Sequence, residues 1–398
     1  MKVLKISYET HYKSQREDGR YSSTMASLMA YLRDLKPEFE FKKDFTKEEF
    51  LIWQKGIKEK AKELLCMPPF TNQPSPKKLL SEKRDTYTVE KWEFYPDPYS
   101  AVPFLMLIPD GVNDKNKAPA LLCFPGSVHP KEFIAGEKNL DRNVCQVEKY
   151  PERNKMALYA VKEGMVAIVF DNLGTGEVAV ETDKKDGGHM TRLQMCHGIM
   201  QSGFCYFGLS VFQKLVFLEF LKTLDFINQD KIGVSSHSLG TNDAMYLALF
   251  CDEIKAIVFN DFVSDSRKKF VSLTEYDETE MKNSDGVWHE VPGIYKYFSH
   301  TDILCALSPK PLALNEGGAE YNLEKIRCAY KLNDAINNLQ ITHYPKYQDE
   351  KTRENSFSLP DHSLSMKEYL DINNCDAPDH SYRKDVSMKF LRKVFFDK

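Results

Sequence analysis

Six short apolar runs constrain this chain more than any other feature: Ala118–Phe124 (APALLCF), Met165–Asp171 (MVAIVFD), Lys231–Ser236 (KIGVSS), Lys255–Asn260 (KAIVFN), Pro311–Asn315 (PLALN) and Leu339–Tyr344 (LQITHY). They are too short for helices and too continuously apolar for strands with one face in water. Between and after them lie segments of helical spacing near 155–163, 204–226, 239–250, 322–337 and 385–396. Apolar strands separated by helices predict a mostly parallel sheet covered on both faces, an α/β fold. Thr86–Tyr95 alternates, and Val102–Ile108 ends at Pro109-Asp-Gly111, so an antiparallel pair should lead into that sheet. The stretches 126–154, 172–203 and 261–308 exceed ordinary connections and read as pocket or lid loops, or as local disorder.

Upstream the rhythm differs. Thr46-Lys-Glu-Glu49 has the form of a capping box, followed by Phe50, Leu51, Trp53, Ile57, Ala61, Leu64 and Leu65 at helical spacing. A proline-rich connector, Met67–Lys77, comes next. This predicts an N-terminal helical extension over 1–80 and a catalytic domain over 81–398, a division that the 398-residue length allows. Acidic residues (58) outnumber Lys and Arg (54), and no stretch is basic enough to track phosphates, which argues against a nucleic-acid partner. Phe204–Phe226 is the most apolar stretch, but Gln213, Lys214, Glu219 and Lys222 interrupt it, so it reads as a buried amphipathic helix, with no membrane partner. Nine dispersed cysteines without a paired spacing, and a Met1–Arg20 segment lacking an apolar core, lead us to expect reduced thiols and a cytoplasmic location.

The chemistry is concentrated at Ser236-His237-Ser238-Leu239-Gly240, which follows a strand and precedes a helix. A sharp turn there lifts the central serine above the sheet and aims the helix's first amides at a reacting carbonyl. The plain alternative is a helix N-cap. A nucleophilic serine needs an imidazole to take its proton and an acid to orient that imidazole, in the chain order Ser, acid, His. Downstream lie His289, His300, His343, His362 and His380. His289 and His300 fall in a long loop and His343 in a strand. The tetrapeptide Pro-Asp-His-Ser occurs twice, at 360–363 and 378–381, and the second stands before the terminal helix, which favours His380. Glu316 and Glu320 flank the Gly317-Gly318 turn after Pro311–Asn315; both are possible acids, with Glu320 beyond the turn. Two amides should hold the oxyanion: that of Leu239, and one from the turn Pro125-Gly126-Ser127, where proline has no N–H and Ser127 is left.

LLCFPGS, FIAGE, AIVFDNLGTGE, DKIGVSSHSLGT, PGIYKYFSHTDILCALSPKPLALNEGG and DAPDHSYRKD together resemble the α/β-hydrolase family related to acetyl xylan esterases and dienelactone hydrolases, from about residue 45 onward. The resemblance implies an α/β-hydrolase fold and a serine carboxylic ester hydrolase that uses no metal or organic cofactor. It implies a small-molecule or carbohydrate ester as substrate, with a small acyl group such as acetyl removed. It places the nucleophile at Ser238, the base at His380 and, because relatives carry aspartate at the fifth place of the glycine turn, the acid at Glu320. Pro125 for His, Ser236 for Gly and Glu320 for Asp depart from the family pattern. The departures leave open a peptidase or lactone hydrolase on the same residues, or an inactive hydrolase-shaped binding protein.

Overall fold

The computed structural model describes residues 4–5, 14, 16–70, 75–138, 140, 152–180, 189–273, 275–276, 285–356, 358 and 363–397. Nine strands form one sheet: β1 (Lys77–Lys83), β2 (Tyr87–Phe94), β3 (Val102–Pro109), β4 (Ala118–Phe124), β5 (Val166–Phe170), β6 (Ile227–His237), β7 (Ile254–Asn260), β8 (Leu312–Leu314) and β9 (Leu339–Ile341). Their order is β9-β8-β7-β6-β4-β5-β3-β2-β1. All pairings from β5 through β4, β6, β7 and β8 to β9 are parallel, whereas β1, β2 and β3 join antiparallel at one end. Every residue of β4 and β5 is buried, as expected of strands covered on both faces. A separate two-stranded antiparallel pairing links Leu4–Lys5 to Glu275–Tyr276.

The helices used below are α1 (Thr24–Asp34), α2 (Lys47–Leu65), α3 (Met156–Lys162), α4 (His189–Gln201), α5 (Tyr206–Leu221), α6 (Gly240–Phe250), α7 (Glu320–Leu332) and α8 (Lys384–Phe395). The capping box at the start of α2 is present: Glu49 N–H donates to Thr46 Oγ1 (3.2 Å) and Thr46 N–H to Glu49 Oε2 (2.8 Å). Phe50, Trp53, Ile57, Ala61 and Leu65 form its buried face and join the same core as α5, α6 and one face of the sheet. The other face is covered in part by α3 and α8, through Met156, Ala160, Met388 and Leu391. The boundary expected near residue 80 falls inside β1, because the connector ends in a strand that pairs with β2.

Two expectations change. The apolar stretch after 204 is not amphipathic but buried around most of its circumference, Gln213 and Lys214 included. Lys214 is tolerated there because its ammonium donates to Ser210 Oγ (2.6 Å) and lies 3.5 Å from Asp243, itself bonded to Ser210. No single helix among the described residues is long and apolar enough to cross a membrane. The long loops, in turn, carry structure of their own: α4, and a helix at His300–Ala306 held by a Ser299/Asp302 capping box. The described cysteines are free.

Candidate active site

Strand β6 ends at His237, and Ser238 takes φ +51°, a left-handed conformation that a non-glycine residue holds only under constraint. Its amide donates to the Asn260 carbonyl at the end of β7 (3.1 Å), and its carbonyl accepts from Thr241 N–H (2.9 Å) in the first turn of α6. A β-carbon on Gly240 would fall against the backbone of Phe124 and Pro125, so only glycine lets α6 start this close to β4. Ser236, where the family pattern leads one to expect glycine, is fully buried and donates its hydroxyl to the Val258 carbonyl (2.7 Å). The extra atom is thereby satisfied on the neighbouring strand, and the turn keeps its shape.

His380 lies in the loop before α8 and lines, with Ser127, Ser238 and Leu239, a cavity of about 340 Å³. The structure thus brings Ser238, Leu239, Ser127 and His380 to one site. It does not bring Glu320. The carboxylate bonded to His380 is that of Glu316, with Nδ1 to Oε2 at 2.6 Å. Glu316 is wholly buried; its Oε2 also accepts from Tyr344 O–H (2.8 Å) and its Oε1 from Ser381 N–H (2.9 Å). Gly317 and Gly318 both have positive φ, +64° and +147°, so the chain reverses just after Glu316. Glu320 then opens α7 beyond that reversal, where its carboxylate accepts from Arg353 and Arg327, each at 2.9 Å, and lies 3.4 Å from His343 Nε2. Glu320 closes an ion-pair cluster rather than orienting the base.

Of the other histidines, His343 packs beside Glu320, and His289 and His300 line the cavity. Burial pushes the His289 imidazolium down to about 4, and His300 down as well. His362 lies outside the described residues. For His380, burial acts against the charged ring, but the Glu316 hydrogen bond and the charges of Asp261 and Glu316 outweigh it and push it up to about 9.

Residues without a motif complete the site. Asn172, two residues beyond β5, donates to the carbonyls of Pro125 (3.2 Å) and Gly126 (2.8 Å), and Arg192 Nη1 donates to the Ser127 carbonyl (2.8 Å). A trans peptide points C=O and N–H in opposite directions. Fixing the Gly126 carbonyl therefore fixes where the Ser127 amide points. Gly126 admits no side chain, since a β-carbon would sit 2.9 Å from Nδ1 of both His129 and His237. His237 in turn stacks on His380, with centroids 4.7 Å apart. Asn260 ties the two reacting loops together. Its own carbonyl takes the Ser238 amide, its Oδ1 takes Arg383 N–H (2.7 Å), and its Nδ2 donates to the Ser381 carbonyl (3.0 Å), so it holds the segment that directly follows His380. Asn260→Ala should lower kcat by about 10²-fold, the scale of a 1 Å misplacement of reacting groups, while KM changes little. Steady-state kinetics on the folded variant checks this.

One ligating atom each of Asp261, Glu316 and His380 lie within 4.8 Å of one another, a donor set chemically able to meet a divalent cation. Both Glu316 oxygens are already engaged by His380, Tyr344 and Ser381, however, which is what an orienting acid requires.

Residues 5–393 match the model of the Abhydrolase family. The chain belongs to that family. This hydrolase is also similar to a solved structure described as a candidate acetyl xylan esterase from Bacteroides fragilis NCTC 9343. The two are 34% identical, the match covers 97% of this chain and 98% of that one, and the TM-score is 0.90. A methylesterase (14% identity, 92% and 67% coverage, TM-score 0.57) and a glucuronoyl esterase from Solibacter usitatus (10%, 78% and 94%, TM-score 0.52) share the fold. No curated protein matches the chain. With the fold, the family and the strand-end serine in place, the protein is a serine hydrolase of the carboxylic-ester class, similar to an acetyl xylan esterase.

Proposed function

We propose that this hydrolase removes small acyl groups, acetyl foremost, from a carbohydrate or similarly polar alcohol, using Ser238, His380 and Glu316. The observation that carries the reading is the placement of Ser238, held at positive φ, in the same cavity as His380, whose Nδ1 is held by Glu316. With Nδ1–H donated to Glu316, Nε2 keeps its lone pair and takes the serine proton as Oγ attacks the acyl carbon. The amides of Leu239 and Ser127 receive the developing oxyanion. Collapse expels the alcohol, which takes the proton back from Nε2. Water, activated by the same nitrogen, then releases the acid from the acyl-enzyme.

The cavity supports a small acyl group on a polar partner. Its wall carries Lys269, Asp285, Glu290, His289, His300 and Tyr295, with Lys269 paired to Asp285 at 2.7 Å, beside the apolar Phe259, Phe262, Val263, Ile294 and Leu304. The polar groups offer hydrogen bonds to the hydroxyls of the alcohol, and the space of about 340 Å³ limits the length of the acyl chain that packs against the apolar side chains. Against a series of p-nitrophenyl esters, kcat/KM should be highest for acetate and fall by about tenfold or more by octanoate. Lactones and peptides should be poor substrates in the same assay. Preference for the long chain, or for a peptide, would overturn this reading.

The pH dependence follows from the base. Only neutral His380 accepts a proton, and its ionisation is pushed up to about 9, so kcat/KM should rise with pH through that region. Each unit below it should cost about tenfold. This places the rise above the neutral region expected of an unperturbed histidine, because buried carboxylates stabilise the imidazolium. A plateau already reached at pH 7 would contradict it.

A further inference from the structure

Asp261 follows Asn260 at the C-terminal end of β7, and Glu316 stands two residues beyond the end of β8. These neighbouring parallel strands thus deliver two carboxylates to one edge of the sheet, and His380 meets both. One oxygen of each and a ring nitrogen of His380 lie within 4.8 Å of one another. The two acids are not equivalent. Glu316 has no exposure and both its oxygens are engaged. Asp261 is half-buried and lines the cavity beside Ser238 and His380; its Oδ1 accepts only from the next amide, Phe262 N–H, among the described hydrogen bonds (2.8 Å).

We propose that Asp261 is a second positioning carboxylate for His380, one that stabilises the imidazolium and so sets the pH above which the base works. This rests on His380 being the general base.

The surroundings of the ring leave that role to Asp261. Tyr344 reaches Nδ1 only at 3.5 Å and donates to Glu316 instead. His237 stacks against the ring and His129 lies behind it; burial holds both neutral near pH 7, so neither adds charge. Arg383, the cation nearest this cluster, opposes the imidazolium and is itself engaged by Asp379 (2.8 Å), which also binds Arg153 (3.1 Å). Against burial and Arg383, the anions that chiefly favour the charged ring are Glu316, through its hydrogen bond and its charge, and Asp261, through its charge. Burial pushes the Asp261 carboxyl itself up to about 7, with the facing His380 charge opposing that rise and Glu316 adding to it. Asp261 is therefore ionised across the range in which His380 loses its proton.

The test is the kcat/KM–pH profile of Asp261→Asn on an acetate ester. Asparagine keeps an oxygen for the Phe262 amide and removes only the charge. The acid limb should move down by about one unit, so that the fraction of plateau activity available at pH 7 rises about tenfold. Asp261→Glu should return the limb toward the wild-type position. Asp261→Ser, whose hydroxyl can also accept from that amide, should move it as asparagine does and serves if Asp261→Asn does not fold. A limb that stays in place in the uncharged variants overturns the proposal. So does a rise in KM without movement of the limb, which would assign Asp261 to substrate binding. His380→Ala, run alongside, separates the two levels. If it is inactive while Asp261→Asn leaves the limb unmoved, only the role of Asp261 fails. If it stays active, the assignment of the base fails with it.

Discussion

Ser238→Ala will lower kcat by about 10⁶-fold, the scale at which a serine nucleophile is lost in other triads. The loss is large because no other hydroxyl is held in that place. Ser235 and Ser236, its neighbours in sequence, point into the sheet: Ser235 Oγ bonds Tyr382 O–H (2.7 Å) and Ser236 Oγ the Val258 carbonyl (2.7 Å), and both are fully buried. Alanine keeps the β-carbon and meets the same left-handed strain, so the turn and the amide bond to Asn260 should persist. What remains should be the modest rate enhancement of the oxyanion turn and substrate binding. Turnover by the purified variant, with thermal unfolding as a control for the fold, decides it.

Glu316→Gln should lower kcat by about 10⁴-fold and leave KM nearly unchanged. The amide fits the space but presents an N–H as well as an oxygen to the groups around it. If its oxygen serves the Ser381 amide, its nitrogen faces His380 Nδ1 and Tyr344, the wrong tautomer follows, and Nε2 carries the proton it is meant to accept. The charge that steadies the imidazolium is gone as well. Glu320→Gln should behave differently. It leaves Arg353 and Arg327 without their shared buried carboxylate, so the cost should appear as about 3–5 kcal/mol of stability, with kcat changed far less. Comparing kcat and unfolding for the two variants distinguishes the two glutamates. A catalytic collapse in Glu320→Gln with normal turnover in Glu316→Gln would reverse the assignment.

The contrast between these glutamates shows what the sequence could carry. The continuous apolar runs at 118–124, 165–171 and 255–260 have one stable use, a strand buried on both faces, and they stand where the structure has β4, β5 and β7. The SHSLG segment was legible because it joins such a run to a helical one, and the second Pro-Asp-His-Ser because a terminal helix follows it. The acid was not, because two glycines at positive φ send Glu316 and Glu320 to opposite sides of a turn, and residue order says nothing about which side faces His380. Family position pointed to Glu320, whereas the helix that begins there commits it to arginines seven and 33 residues on. Helix α4 was missed for a related reason: apolar and polar residues are spread around His189–Gln201 without a clear face. Asn172, Asn260, Asp261 and Tyr344 work through partners tens of residues or more away, and no periodicity marks them. One signal was available. Asp171-Asn172 and Asn260-Asp261 are polar pairs at the C-terminal ends of apolar strands, where open parallel sheets place their sites.

The most direct test of the whole account is to treat the active protein with a fluorophosphonate and map the adduct by peptide mass spectrometry. The account predicts one modified peptide, with the phosphonate on Ser238, and turnover lost in proportion to labelling. It also predicts that His380→Ala and Glu316→Gln slow the labelling. An adduct on any other serine, or full activity in protein already labelled at Ser238, would contradict it.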